Sequence, residues 1–158
     1  METVNIAHNF LKKGYTISTD HSLLDVGVIY NFLENESYWA KGISLKRLQT
    51  SIDNSMCFGL YHQNNMCGFA RVITDKATFA YICDVFVVKE HRGKGLSKWM
   101  IHTIKDHPEL SGLRRWMLAT ADAHELYKQY GFRPISTPDR WMEIFTPYIT
   151  TAGSTTTK

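Results

Sequence analysis

Residues 78–88 constrain this chain more than any other stretch. They are nearly continuous in Phe, Tyr, Ile, Cys and Val, and then stop at Lys89-Glu90-His91-Arg92-Gly93-Lys94-Gly95. An apolar run without polar alternation reads as a strand covered on both faces, and therefore central in its sheet. Past the glycines, Leu96, Trp99, Met100, Thr103 and Ile104 recur at helical spacing until His107-Pro108, where proline stops a helix. A buried strand thus passes through a glycine-rich turn directly into a helix, and a strand covered on both faces needs elements packed on each.

The rest of the chain supplies them. Residues 15–19 alternate like a first strand, and Ser22 with Asp25 three residues on has the form of a capping box. Val26, Ile29, Tyr30 and Leu33 then give one helix an apolar face, and a second helix is expected after Ser44, with Leu45, Leu48 and Ile52 inward. Residues 56–61 and 67–73 read as a hairpin joined around Asn64-Asn65. Residues 115–120 are a short strand. Asp122 and Glu125 repeat the capping signature before Leu126, Tyr127 and Tyr130, and Gly131 ends that helix. Residues 140–145 are the last strand candidate. The predicted order is β-α-α-β-β-β-α-β-α-β, an α/β single domain with a mixed central sheet flanked by helices. Its expected bounds are residues 15–147, after an N-terminal extension at 1–14 and before a threonine-rich tail at 148–158.

Composition excludes several classes. A chain of 158 residues with 44% hydrophobic and 21% charged residues is long enough to bury one core and too apolar to be disordered. Its formal net charge of +3 is too mild to demand nucleic acid. No apolar stretch approaches the ~18 residues of a membrane span. Met1-Glu2-Thr3-Val4-Asn5 has neither the basic head nor the apolar run of a secretory leader. Cys57, Cys67 and Cys83 are odd in number and lack CxxC spacing, which fits reduced thiols rather than a disulfide framework or a zinc site. A cytoplasmic protein without a resident metal is expected.

The glycine-rich turn carries the chemistry. Gly93 and Gly95 let the backbone approach a ligand with several amides pointing the same way. The helix start adds partial positive charge, and Arg92 and Lys94 add full charges, so the segment is built as a phosphate or pyrophosphate cradle. It is neither a P-loop, since Gly93 and Gly95 are only two apart, nor a GxGxxG fingerprint, since Lys98 stands at the third glycine. The residues alone leave a phosphate ligand and a plain strand-to-helix turn both open.

Arg92-Gly93-Lys94-Gly95-Leu96-Ser97 resembles the Arg/Gln-x-x-Gly-x-Gly/Ala signature of the GNAT superfamily of N-acetyltransferases, which binds the pyrophosphate of acetyl-coenzyme A. The preceding Asp84-Val85-Phe86-Val87 is similar to the family's strand before the signature. Ala123-His124-Glu125-Leu126-Tyr127-Lys128-Gln129-Tyr130-Gly131-Phe132 resembles its Ala-x-x-x-Tyr-x-x-x-Gly-Phe element, and the order of elements fits over residues 15–145. Three positions depart from the pattern. Ser97 replaces Gly or Ala, Thr120 stands where many relatives carry Asn, and Cys83 where many carry Glu.

The resemblance implies direct transfer, within a ternary complex, of the acetyl group of acetyl-coenzyme A to an amine of a small molecule or peptide. It implies that the main chain of Val85, Phe86 and Val87 runs beside the pantetheine arm. The amides of Arg92, Gly93, Lys94, Gly95, Leu96 and Ser97 hold the pyrophosphate, and Thr120 touches the cofactor. Tyr127 becomes the general acid: a phenol of pKa about 10 keeps the proton that a leaving thiolate of pKa about 8.5 takes up. Asp84, isolated in an apolar strand, is read either as the base or as a structural carboxylate, with water as a third route for the proton. Tyr38 and Trp39 lie where relatives build the acceptor side, and helix packing explains them equally well. Relatives commonly dimerise, so a homodimer is compatible, although no interface is legible. The competing class is a catalytically silent acyl-CoA-binding sensor or interaction module, which would be indifferent to Tyr127→Phe.

Overall fold

In the computed structural model, which describes residues 2–148, five strands lie side by side in chain order. They are β1 (Tyr15–Ser18), β2 (Met56–His62), β3 (Asn65–Thr74), β4 (Phe79–Val87) and β5 (Arg115–Leu118). Neighbours from β1 to β4 are antiparallel, and β5 is parallel to β4. A parallel neighbour needs a crossover, supplied by α4 (Leu96–Lys105). With α1 (Glu2–Lys12), α2 (Val26–Asn35), α3 (Leu45–Asp53) and α5 (His124–Lys128), this is the α/β single domain with a helix-flanked mixed sheet that the sequence predicts.

The two faces of the sheet bury separate cores. On one, Trp99, Met100, Ile101 and Ile104 of α4 pack with Phe58, Leu60, Val72 and Ile82. On the other, Ile29 and Leu33 of α2 and Leu48 and Ile52 of α3 pack with Phe69 and Phe86. The Phe32 and Phe86 rings stack at 4.0 Å. The helix starts follow from capping: Asp25 accepts from Val28 N at 3.1 Å, and Ser44 from Arg47 N at 3.2 Å. Ser22 does not act as the cap of α2. It sits in a short 3-10 turn and is itself bonded to Asp20, whose side chain is nearer in the chain.

Four other expectations change. Residues 1–14 are more than an extension: α1 covers the sheet, with Phe10 stacked on Trp99 at 4.9 Å and buried in the first core. The hairpin turn lies at Gln63 and Asn64, both in the left-handed region (φ 48° and 69°), one residue earlier than read. Strand β5 ends at Leu118, and Thr120, not Asp122, receives the amides ahead of α5, from Asp122 N at 3.4 Å and Ala123 N at 3.0 Å. Finally, residues 140–145 form no strand. Met142, Ile144 and Phe145 are 97%, 100% and 75% exposed, and a groove lined by Trp116, Met117, Phe132, Ile135 and Trp141 lies between this segment and β5, so it has no ladder partner. Of the expected tail, residues 149–158 lie outside the described residues. No helix among the described residues is long and apolar enough to cross a membrane.

Two irregularities in β4 prepare the site. Between Phe86, opposite Phe69, and Cys83, opposite Arg71, β4 carries one residue more than β3. The extra residue is absorbed as a bulge at Asp84, whose φ of +53° is rare for a residue with a side chain. As a result Cys83, Asp84 and Phe86 all face the α2/α3 side. Pairing with β5 stops at Ile82 and Leu118, although β4 runs on to Val87, so the two parallel strands part and leave a cleft.

If α1 is part of the core, Phe10→Ala should lower the unfolding free energy by about 3 kcal/mol, read from urea denaturation. A merely appended helix would leave the midpoint unmoved.

Candidate active site

The parting of β4 and β5 brings Tyr38, Trp39, Asp84, Val85, Thr120 and Tyr127 around one cavity of about 340 Å³, together with Tyr81, Cys83 and Asp122. Residues read separately from the sequence therefore share one wall. Tyr38 also reaches across the opening, where its hydroxyl accepts from Ala121 N at 2.9 Å. Phe86 and Val87 are nearly buried in the two cores, so only their main chain is available to a ligand. The loop at residues 92–97 lies beyond the end of β4, outside this cavity's lining.

In that loop the amides and the cations divide the work. Gly93 and Gly95 take φ of +76° and +84°, and nothing stands within 4 Å of where a Cβ on Gly93 would be. Among the described residues no N–H from Gly93 to Lys98 donates to an acceptor outside α4, so a row of free amides tops the helix. A pyrophosphate fits that row. Arg92 and Lys94, by contrast, stay exposed but bend back along the chain. Arg92 Nε donates to Val87 O at 2.8 Å, and Lys94 Nζ lies 3.4 Å from both Tyr15 Oη and Glu90 O. The side chains brace the loop while its backbone faces outward. Leu96 anchors the helix in the core, and Ser97 is half-buried.

Tyr127 is 8% exposed on α5 and lines the cleft, and its hydroxyl has no hydrogen-bond partner among the described residues. Burial, reinforced by Tyr38 and Asp122, pushes its pKa up to about 12, so the phenol holds its proton across the neutral range. Burial, with Asp84 adding to it, likewise pushes the Cys83 thiol to about 12, which leaves it protonated and unreactive at neutral pH. Thr120 Oγ1 accepts from the loop amides, while its own proton is free to donate.

Asp84 is held more tightly than the sequence suggests. Trp39 Nε1 donates to Oδ1 at 2.9 Å, and Arg71 Nε to Oδ2 at 2.8 Å. Arg71 in turn donates to Ser55 Oγ at 3.0 Å. The sequence reading missed Arg71, yet its signal was there: it is the lone charge in β3, as Asp84 is in β4, and two isolated opposite charges in adjacent apolar strands call for each other. Among the described residues no cluster of His, Cys, Asp or Glu could hold a metal ion.

The model of the Acetyltransferase (GNAT) family matches residues 26–132, which takes in the bulged strand, the amide row and Tyr127. A candidate acetyltransferase from Gibberella zeae is 31% identical over 149 residues, covering 80% of this chain and 83% of that one. The crystal structure of a candidate GNAT acetyltransferase from Xanthomonas campestris pv. campestris is 48% identical, with a TM-score of 0.84, covering 87% of this chain and 97% of that one. A predicted acetyltransferase from Clostridium acetobutylicum, solved with acetyl-CoA, shares the fold at 20% identity and a TM-score of 0.58, covering 83% of this chain and 94% of that one. The chain belongs to the GNAT acetyltransferase family.

Two outcomes follow from the charges in the cleft. Arg71→Ala leaves Asp84 buried without its counter-charge and should cost about 3 kcal/mol in urea denaturation. Because the folded state raises the Tyr127 pKa above that of the unfolded chain, this residue's contribution to stability is complete below pH 10 and lost as the pH rises towards 12. Urea midpoints measured over that interval should fall less steeply in Tyr127→Phe.

Proposed function

We propose that this chain moves the acetyl group of acetyl-CoA directly to an amine of a small molecule or peptide, in a ternary complex without a covalent acyl-enzyme. The observation that carries this reading is that β4 lines a cleft holding an unpartnered, proton-holding phenol and then runs on into an unpartnered row of amides. In this reading the free amides of residues 93–97 hold the pyrophosphate, the Arg92 amide being taken by Lys89 O at 3.3 Å, while the main chain of Val85, Phe86 and Val87 flanks the pantetheine and the Thr120 hydroxyl donates to it. The amine nitrogen attacks the thioester carbonyl carbon, the C–S bond breaks, and the departing sulfur takes the Tyr127 proton. The ammonium proton passes to Asp84 directly or through a water, using a lone pair that Trp39 and Arg71 leave free. Tyr38 and Trp39 form the acceptor wall. The inert Cys83 thiol supports the absence of an acyl-enzyme. The site belongs in the cytoplasm, where reduced thiols persist.

Tyr127→Phe removes only the hydroxyl. Thiol release from acetyl-CoA with an accepted amine should slow by about 100-fold in kcat, while calorimetric affinity for acetyl-CoA stays within about threefold. Unchanged turnover would overturn the acid role, and binding without acceptor-dependent release from any amine would leave a silent acyl-CoA binder. Gly95→Ala places a Cβ on a left-handed residue at the head of the amide row, and should weaken acetyl-CoA binding by about tenfold or more.

A further inference from the structure

Beside the cleft lies a second cavity of about 630 Å³, lined by Ser44, Lys46, Arg47, Thr50, Ser51, Asn54, Ser55, Arg71 and Ile73. Three of these nine residues are cations, five carry hydroxyl or amide groups, and none is an acid. Among the described residues no carboxylate forms an ion pair with Lys46 or Arg47. The Arg47 guanidinium lies 5.9 Å over the Tyr148 ring, a contact that occupies its face and leaves its in-plane N–H groups available.

Arg71 joins this groove to the cleft. Its side chain is only 15% exposed, and of its five N–H groups one goes to Asp84 and one to Ser55, which fixes the plane of the fork. The other three have no partner among the described residues, and the residue lines the groove. A desolvated, oriented guanidinium with part of its fork free matches a carboxylate or phosphate far better than water does. Asp84, on the other side of the same ion pair, lines the cavity that holds Tyr127. Arg71 on the groove and Asp84 on the cleft are thus in direct contact, at 2.8 Å.

We infer that the acceptor is an amine carrying an oxyanion, a carboxylate or a phosphate a few bonds from its nitrogen. The oxyanion is read by Arg71, Arg47 and Lys46 in the groove, and the amine lies beyond Arg71, on the Asp84 side. This rests on the acetyl-transfer reading above and adds the chemical class of substrate. Solvent-exposed lysines and arginines on α3 are ordinary in themselves. What singles this face out is that they converge with an oriented, mostly buried arginine that also contacts the candidate proton acceptor.

The test compares matched amines in thiol release: O-phosphoethanolamine against ethanolamine, and β-alanine against propylamine. The expected result is that kcat/KM favours the anionic member of at least one pair by about tenfold or more. The double variant Lys46→Ala/Arg47→Ala, on exposed positions of α3, should bring that ratio close to one, while Arg114→Ala, a cation outside the groove, should keep it. Equal or better use of the neutral amines overturns the inference, as does a ratio that survives the double variant. If no amine releases thiol, the acetyl-transfer reading fails by itself. Calorimetry without acetyl-CoA then decides the groove: tighter binding of O-phosphoethanolamine than of ethanolamine, lost in the double variant, upholds it, and equal or absent binding overturns it.

Discussion

Between Cys83 and Phe86 the central strand carries one residue more than its partner β3, and the chain holds that residue at a φ of +53° by two hydrogen bonds to its carboxylate. A left-handed aspartate in a strand costs on the order of 1 kcal/mol or more, so it persists only where its surroundings fix it. Here Arg71 and Trp39 do so, and the results spread in both directions along β4. Upstream, Ala80 and Ile82 face the α4 core. Downstream, Phe86 faces α2 and α3, and the ladder with β5 has already ended. A strand without a bulge would keep strict alternation and place Asp84 in the α4 core, away from the cleft. The ion pair is thus less a source of net stability than the device that sets which face each later side chain takes.

The loop after β4 repeats that logic with other groups. Two positive-φ glycines turn the amides outward, while Arg92 and Lys94 fold back on Val87, Glu90 and Tyr15. The loop's two cations are occupied within the chain, whereas its amides from Gly93 onward are free for a ligand. Tyr127 is also defined by what it lacks: its ring is buried, and its hydroxyl is bonded to nothing among the described residues.

Much of this was legible beforehand, for reasons that differ by residue. The central strand, its glycine turn and the helix after it were readable because burial on both faces, left-handed glycines and an amphipathic repeat each leave a local signature. Tyr127 and the amide row were readable through the family pattern. The helix at Glu2–Lys12 was missed because its evident core contribution is Phe10, and one stacked ring is a weak periodic signal. Residues 140–145 misled because Trp141, Met142, Ile144 and Phe145 have strand propensity, whereas a strand exists only where another backbone completes its hydrogen bonds. Arg71 was overlooked because pairing across a ladder depends on register, and the bulge shifts that register by one.

The bending back of Arg92 and Lys94 has a chemical side as well. A protein that handles an activated thioester exposes its own amines to acylation, and an uncharged acetyl-lysine no longer attracts phosphate. Peptide N–H groups cannot be acylated under such conditions, nor can they lose their polarity to a change in pH. In the acetyl-transfer reading proposed above, an anion held by the backbone, with Lys94 bent back to Tyr15 and Glu90, is a grip on the donor that the donor's own reactivity cannot alter.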